Sequence, residues 1–156
     1  MKGQQKSEEY LKINPAGQVP FIKDGEFGLS ESNAILKYLC NTNPSVPEHF
    51  WPKEDKARAL TDQFLEYYQC HFRPALIGPH LLRIMKLRGI DYTPEAMEAA
   101  LNNMYATLDT LELYLGKHEG AFIVNDKPTI ADLQIFYDYT NVFYNKIDPL
   151  QPERYP

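Results

Sequence analysis

The sequence predicts an α/β unit followed by an all-helical one. Three observations carry that fold class: a hairpin signal with a helix behind it over residues 14–40, a proline-studded connector over residues 44–52, and an apolar stripe at helical spacing over residues 97–115. The 156 residues suffice for one domain or two small ones with a real core. Hydrophobic residues make up 44% and charged residues 24%, ordinary globular proportions that exclude wholesale disorder and low-complexity sequence. A net charge of −5 with no Lys/Arg cluster is unsuited to neutralising nucleic-acid phosphates or to docking on an anionic membrane, so neither partner is expected.

In the first unit, Asn14-Pro15-Ala16-Gly17-Gln18-Val19-Pro20 supplies turn residues, Phe21-Ile22 a short strand, Asp24-Gly25 a turn and Phe27-Gly28-Leu29 a second strand. A helix is predicted from about Glu31 to Cys40, with Ser30 as cap, Glu31 at the positive end and Ala34, Ile35, Tyr38 and Leu39 at helical spacing. Asn41-Thr42-Asn43-Pro44 stops it. Pro44, Pro47 and Pro52 mark the connector, which places the boundaries at 1–43, 44–51 and 52–156.

In the second unit, Ala57, Leu60, Phe64 and Tyr68 predict a helix from about Glu54 to Leu76, interrupted by Pro74, with a short helical stretch at Leu81–Leu87. Thr93-Pro94-Glu95 is a strong helix start, with Thr93 as cap and Pro94 in the first position. Met97, Leu101, Met104, Leu108, Leu111 and Leu115 then form the stripe of a bundle helix. The last helix opens at Thr129, where Thr129 and Asp132 make a carboxylate version of the capping box. Its apolar residues from Ala131 to Tyr144 surround the axis, which places it in the middle of a bundle or under a partner.

Little points to catalysis by metal or nucleophile. His49, His71, His80 and His118 share no ligand spacing, no metal site is expected, and neither GxGxxG nor GxxxxGK[ST] occurs. Cys40 and Cys70 form no CxxC and read as reduced thiols of the cytoplasm or another reducing intracellular compartment. No stretch approaches the roughly 18–20 apolar residues of a membrane span, and the segment Met1 to Glu9 has no secretory apolar run, so the chain reads as soluble. Two features suit a polar ligand: extended Val19 before Pro20, whose backbone can pair with a peptide, and the helix start at Ser30-Glu31-Ser32, whose free N–H groups can hold a carboxylate. On residue physics alone the plainer reading of the same residues, a hairpin followed by an ordinarily capped helix, is the favoured one.

The run Asn14 to Pro20, followed by Leu29-Ser30-Glu31-Ser32-Asn33-Ala34-Ile35-Leu36-Lys37-Tyr38-Leu39, closely resembles the second half of the thioredoxin-like domain of glutathione S-transferases. Val46-Pro47, Trp51-Pro52, Ala57-Arg58-Ala59 and Thr129-Ile130-Ala131-Asp132 are similar to later family segments, and the resemblance leans to the theta class. It implies an incomplete thioredoxin-like N-terminal unit followed by the family's helical-bundle C-terminal domain. It implies glutathione as substrate: Val19 pairing with the cysteinyl part ahead of a cis Pro20, Glu31 and Ser32 holding the γ-glutamyl carboxylate and amine, and Gln18 beside the peptide. Gln5 falls where theta enzymes often carry a histidine that reaches the glycine carboxylate, and Gln brings a donor without charge. Arg73 matches an auxiliary arginine that faces the family's active site, the other reading being a surface arginine lying along its own stem.

In the family, the strand and helix bearing the Ser, Tyr or Cys that stabilises the thiolate precede the position of Met1, and further helices follow that of Pro156. The expectation is therefore a piece of a longer transferase or, alternatively, a non-catalytic subunit of a larger assembly. On either account the 156 residues alone are expected to be inactive. A two-fold homodimer or unrelated subunits are expected to cover the sheet edge and the helix from Glu54 to Leu76.

Overall fold

The computed structural model describes residues 3–117 and 120–144. The chain divides into two compact units, Met1–Trp51 and Pro52–Pro156.

The first unit opens with a 3₁₀ turn, Gln4–Lys6, and a short helix α1, Glu8–Ile13. Sequence periodicity misses α1 because six residues are too few to show it. Its start is nevertheless written in Ser7-Glu8-Glu9: Ser7 accepts the Tyr10 N–H at 3.2 Å, and two carboxylates occupy the first turn. Strands β1, Phe21–Asp24, and β2, Phe27–Ser30, form an antiparallel hairpin in register Phe21↔Ser30 to Asp24↔Phe27. Gly25, at φ 57°, opens its two-residue loop. Helix α2, Ser32–Thr42, packs on the hairpin, where Tyr38 donates to the Asp24 carboxylate at 2.6 Å and its ring meets Phe27 at 5.2 Å. That carboxylate raises the Tyr38 hydroxyl pKa.

The expected cap is corrected. Ser30 is committed to pairing with Phe21, so the chain turns from strand to helix within one residue, and Glu31 stands at the cap with φ 70° and no side-chain bond. The apolar residues of the hairpin are also covered in part: Phe21 and Ile22 are half-buried, with Tyr10 set edge-on to Phe21 at 5.9 Å, while Phe27 stays exposed.

The second unit corrects two helices into one continuous path. Helix α3, Asp55–Tyr67, runs through a π-helical turn, Tyr68–Phe72, into α4, Arg73–Leu87. Pro74 does not end the helix. It occupies the first turn of α4, and the ring of a helical proline crowds the carbonyl four residues back, which is where the wider π turn makes room. Glu54 caps α3 by accepting the N–H groups of Lys56 and Ala57, which lowers its own pKa. Helix α5, Pro94–Leu115, begins at Thr93, which accepts the Ala96 N–H at 3.2 Å. Helix α6 spans Ile130–Tyr144. Phe64, Leu65, Tyr68, Phe72 and Leu76, together with Met104, Leu108, Ile130, Ala131 and Ile135, are buried residues that form the core.

At the start of α6, Asp132 accepts the N–H of Thr129 at 2.7 Å and that of Ile123 at 2.9 Å, while Thr129 Oγ1 accepts from Ala131 N–H at 3.2 Å. The cap thus also ties the preceding loop to the helix. Not every side of α6 is covered: within the described side chains, Phe136 is 68% exposed and Tyr137 70%, with Leu133 beside them.

Candidate functional site

The first unit gathers most of the candidate residues at the open end of its hairpin. Because Phe21 pairs with Ser30, the residues just outside that pair, Val19-Pro20 and Glu31-Ser32, emerge side by side. The Val19–Pro20 bond is cis, as the family resemblance implied. Val19 is 70% exposed, and no described residue pairs with its backbone N–H or C=O. Ser32 begins α2, whose first-turn N–H groups lie next to the exposed Glu31. The conformation of Glu31 is one that side chains rarely adopt and that clusters at functional sites.

Gln18 is exposed, but its backbone is pinned. The Tyr10 hydroxyl donates to its carbonyl at 2.7 Å, and the buried Asn14 amide donates to the same oxygen at 2.9 Å. Gly17 makes this turn possible. At φ 58° it favours glycine, and a Cβ there would come within 2.9 Å of Leu11 and 3.0 Å of the Gln5 carbonyl oxygen. Gln5, half-buried in the opening 3₁₀ turn, is thereby brought against the turn that precedes Val19. Lys6 reaches the Ala16 carbonyl from the same turn at 3.4 Å.

Arg73 belongs to the second unit and is neither free nor simply laid on the surface. Its Nη1 donates to both Asp138 oxygens, at 3.1 and 3.3 Å, and to the Tyr68 hydroxyl oxygen at 3.0 Å. The Tyr68 hydroxyl in turn donates to Asp138 at 2.5 Å. The π turn sets up this contact, since it directs the Arg73 N–H to the Tyr68 carbonyl five residues back and aligns the two side chains. Burial, reinforced by the neighbouring Asp138 carboxylate, drives the Tyr68 pKa upward. Sequence reasoning takes Tyr68 only as part of a helical stripe and passes over Asp138. The available signal was Asp138, a carboxylate set among the aromatic residues of α6, which needs a partner when buried.

Burial raises the Cys40 pKa, and both cysteines are free thiols. Among the described residues, no cluster of three or more His, Cys, Asp or Glu is placed to hold a metal, and no helix is long and apolar enough to cross a membrane. Thr129 and Asp132 are occupied with each other and the local backbone.

Comparison with known proteins agrees with this geometry. Residues 1–41 match the family model for the glutathione S-transferase N-terminal domain, and residues 86–156 match that for the glutathione S-transferase C-terminal domain. Glutathione S-transferase T2 of Arabidopsis thaliana is 37% identical over 136 residues, covering 86% of this chain and 23% of its own length. Glutathione S-transferase theta-2 of Homo sapiens is 35% identical over 135 residues, covering 85% of this chain and 54% of its own. A crystal structure of human glutathione transferase theta-2, in complex with glutathione and an unknown ligand, superposes with a TM-score of 0.87 at 30% identity, covering 97% of this chain and 63% of that one. The chain thus spans about half the length of the human relative and about a quarter of the plant one. With both domain models matched in order, and with theta-class proteins among its relatives in sequence and in structure, the chain belongs to the glutathione S-transferase superfamily as a theta-like member.

Proposed function

We propose that this chain binds glutathione as part of a transferase that joins it to electrophilic carbon or reduces peroxides with it. The observation that carries the reading is the open end of the hairpin, where the unpaired backbone of Val19 lies beside the start of α2. Val19 would pair with the cysteinyl part as though with another strand, next to Pro20. The first N–H groups of α2 and Ser32 would hold the γ-glutamyl carboxylate, and Glu31 its amine. Gln18 would lie beside the peptide, and Gln5 would meet the glycine carboxylate with a neutral donor. Arg73 is assigned an auxiliary role, and no metal is invoked.

In conjugation, the thiol gives up its proton, sulfur bonds to the electrophilic carbon, and the leaving group departs with its electron pair. The residues named here orient the peptide. Thiolate stabilisation is assigned to a group other than these, and the residues named here are proposed to bind glutathione without supplying that stabilisation. The two free thiols suit a reducing compartment such as the cytoplasm.

Calorimetric titration with reduced glutathione tests the reading. Saturable binding that Glu31→Gln and Ser32→Ala each weaken about tenfold supports it, at about 1.4 kcal/mol per tenfold. Binding indifferent to both substitutions refutes the site. A second reading, a non-catalytic subunit of a larger assembly, is favoured by the exposed Leu133, Phe136 and Tyr137 on α6, while the homodimer is the simpler arrangement. Sedimentation of the intact protein separates a two-fold dimer from a mixed assembly.

A further inference from the structure

We propose that Tyr10 and Asn14 are positioning residues for ligand binding, because together they fix the orientation of the peptide group whose N–H belongs to Val19. The proposal rests on the reading that Val19 pairs with bound glutathione and adds what holds Val19 ready to do so. The Gln18–Val19 peptide is trans, so its C=O and N–H point in opposite directions. Its carbonyl is held on one side by two donors, Tyr10 Oη at 2.7 Å and Asn14 Nδ2 at 2.9 Å. The N–H of Val19 is therefore aimed away from α1, on a residue that is 70% exposed.

The two donors also brace one another. Asn14 Nδ2 lies 3.5 Å from Tyr10 Oη, and the Tyr10 ring is set against Phe21, the first residue of β1. Asn14 is 3% exposed, an expensive place for a side-chain amide unless its hydrogen bonds are used. One carbonyl taking two side-chain donors is more than satisfaction of that oxygen alone demands. The arrangement restrains rotation of the peptide plane, so the binding edge is set before the ligand arrives and less ordering remains to be done on binding.

The test combines binding of reduced glutathione with the backbone amide resonance of Val19, both on the intact protein. Tyr10→Phe keeps the ring on Phe21 and deletes only the donor. Asn14→Asp sets an acceptor against the same carbonyl. Either folded variant decides the matter. The expected result is a shift of the Val19 resonance on adding glutathione to the wild type, and a dissociation constant raised about three- to tenfold in Tyr10→Phe. The variant's Val19 resonance should also broaden or move before any ligand is added, a signature that a merely stabilising hydrogen bond elsewhere would not give. Equal affinity in the folded variants, with the wild-type shift present, overturns the positioning role and leaves the glutathione site standing. No Val19 shift in wild type that binds glutathione overturns the assignment of Val19, and the positioning role with it.

Discussion

Replacing Tyr68 by Phe deletes one oxygen from the core of the helical unit, and its cost follows from what that oxygen touches. The Tyr68 ring is fully buried and stays packed in the variant. Lost are the 2.5 Å bond to Asp138 and the 3.0 Å contact from Arg73. A hydrogen bond to a charged group contributes about 1.5–3 kcal/mol, and leaving a buried carboxylate short of a partner adds to that. Arg73 still pairs with Asp138, but its side chain is 42% exposed against 3% for Asp138, so much of that attraction is screened. The expected loss is about 2–3 kcal/mol near pH 7, which lowers the melting temperature of a unit this size by roughly 8–20 °C. Urea unfolding followed by far-ultraviolet circular dichroism measures it. The alkaline limb supplies a second check. The Tyr68 pKa is raised in the fold, so its contribution is complete below the unfolded tyrosine value of about 10 and fades as pH rises through the folded value. Wild type and Tyr68→Phe should therefore converge only above about pH 10. A loss under 0.5 kcal/mol at pH 7, or curves parallel through pH 11, would refute the reasoning.

Gly17→Ala meets both a φ of 58° and the Gln5 backbone oxygen at 3.0 Å, which cannot step aside as a side-chain tip can, so a loss of about 2–3 kcal/mol in chemical denaturation is expected. Asp132→Ala frees the N–H groups of Thr129 and Ile123 together and should cost about 2–3 kcal/mol, with faster amide exchange at both positions. Glu31→Gly relieves the strained cap and is expected to raise stability by up to about 1 kcal/mol while weakening glutathione binding, an opposition that paired melting and titration curves reveal.

The elements that sequence reasoning found are those whose ends are set by local chemistry. Thr93-Pro94 and Thr129 with Asp132 are caps made of neighbouring residues, and Asp24-Gly25 is a turn made by its own backbone preference. What escaped is set by distant partners or by competition between rules. Ser30 is a good helix cap by type, but a ladder partner nine positions away in the numbering, Phe21 opposite Ser30 by way of the hairpin, claims it first. Pro74 is a good helix breaker by type, but a π turn accommodates it, and no local pattern announces that a helix will widen.

The same division runs through the candidate site. The placing of Val19 just before a strand and of Glu31 and Ser32 at a helix start was legible, because those elements show in the sequence, while the glutathione roles proposed for them come from the family resemblance. The residues that hold the groups in place were not legible. Tyr10 reaches eight residues along the chain and Asn14 four, each to a carbonyl oxygen, an atom with no sequence identity. Tyr68 and Asp138 are 70 residues apart and become neighbours only when α6 packs beside the π turn. Both pairs do similar physical work: a tyrosine hydroxyl and one further polar group restrain a third group that is partly exposed, the Gln18–Val19 peptide in one case and Arg73 in the other. Restraint of this kind costs ordering free energy during folding, so the second and third partners make sense where the restrained group must hold one orientation in water.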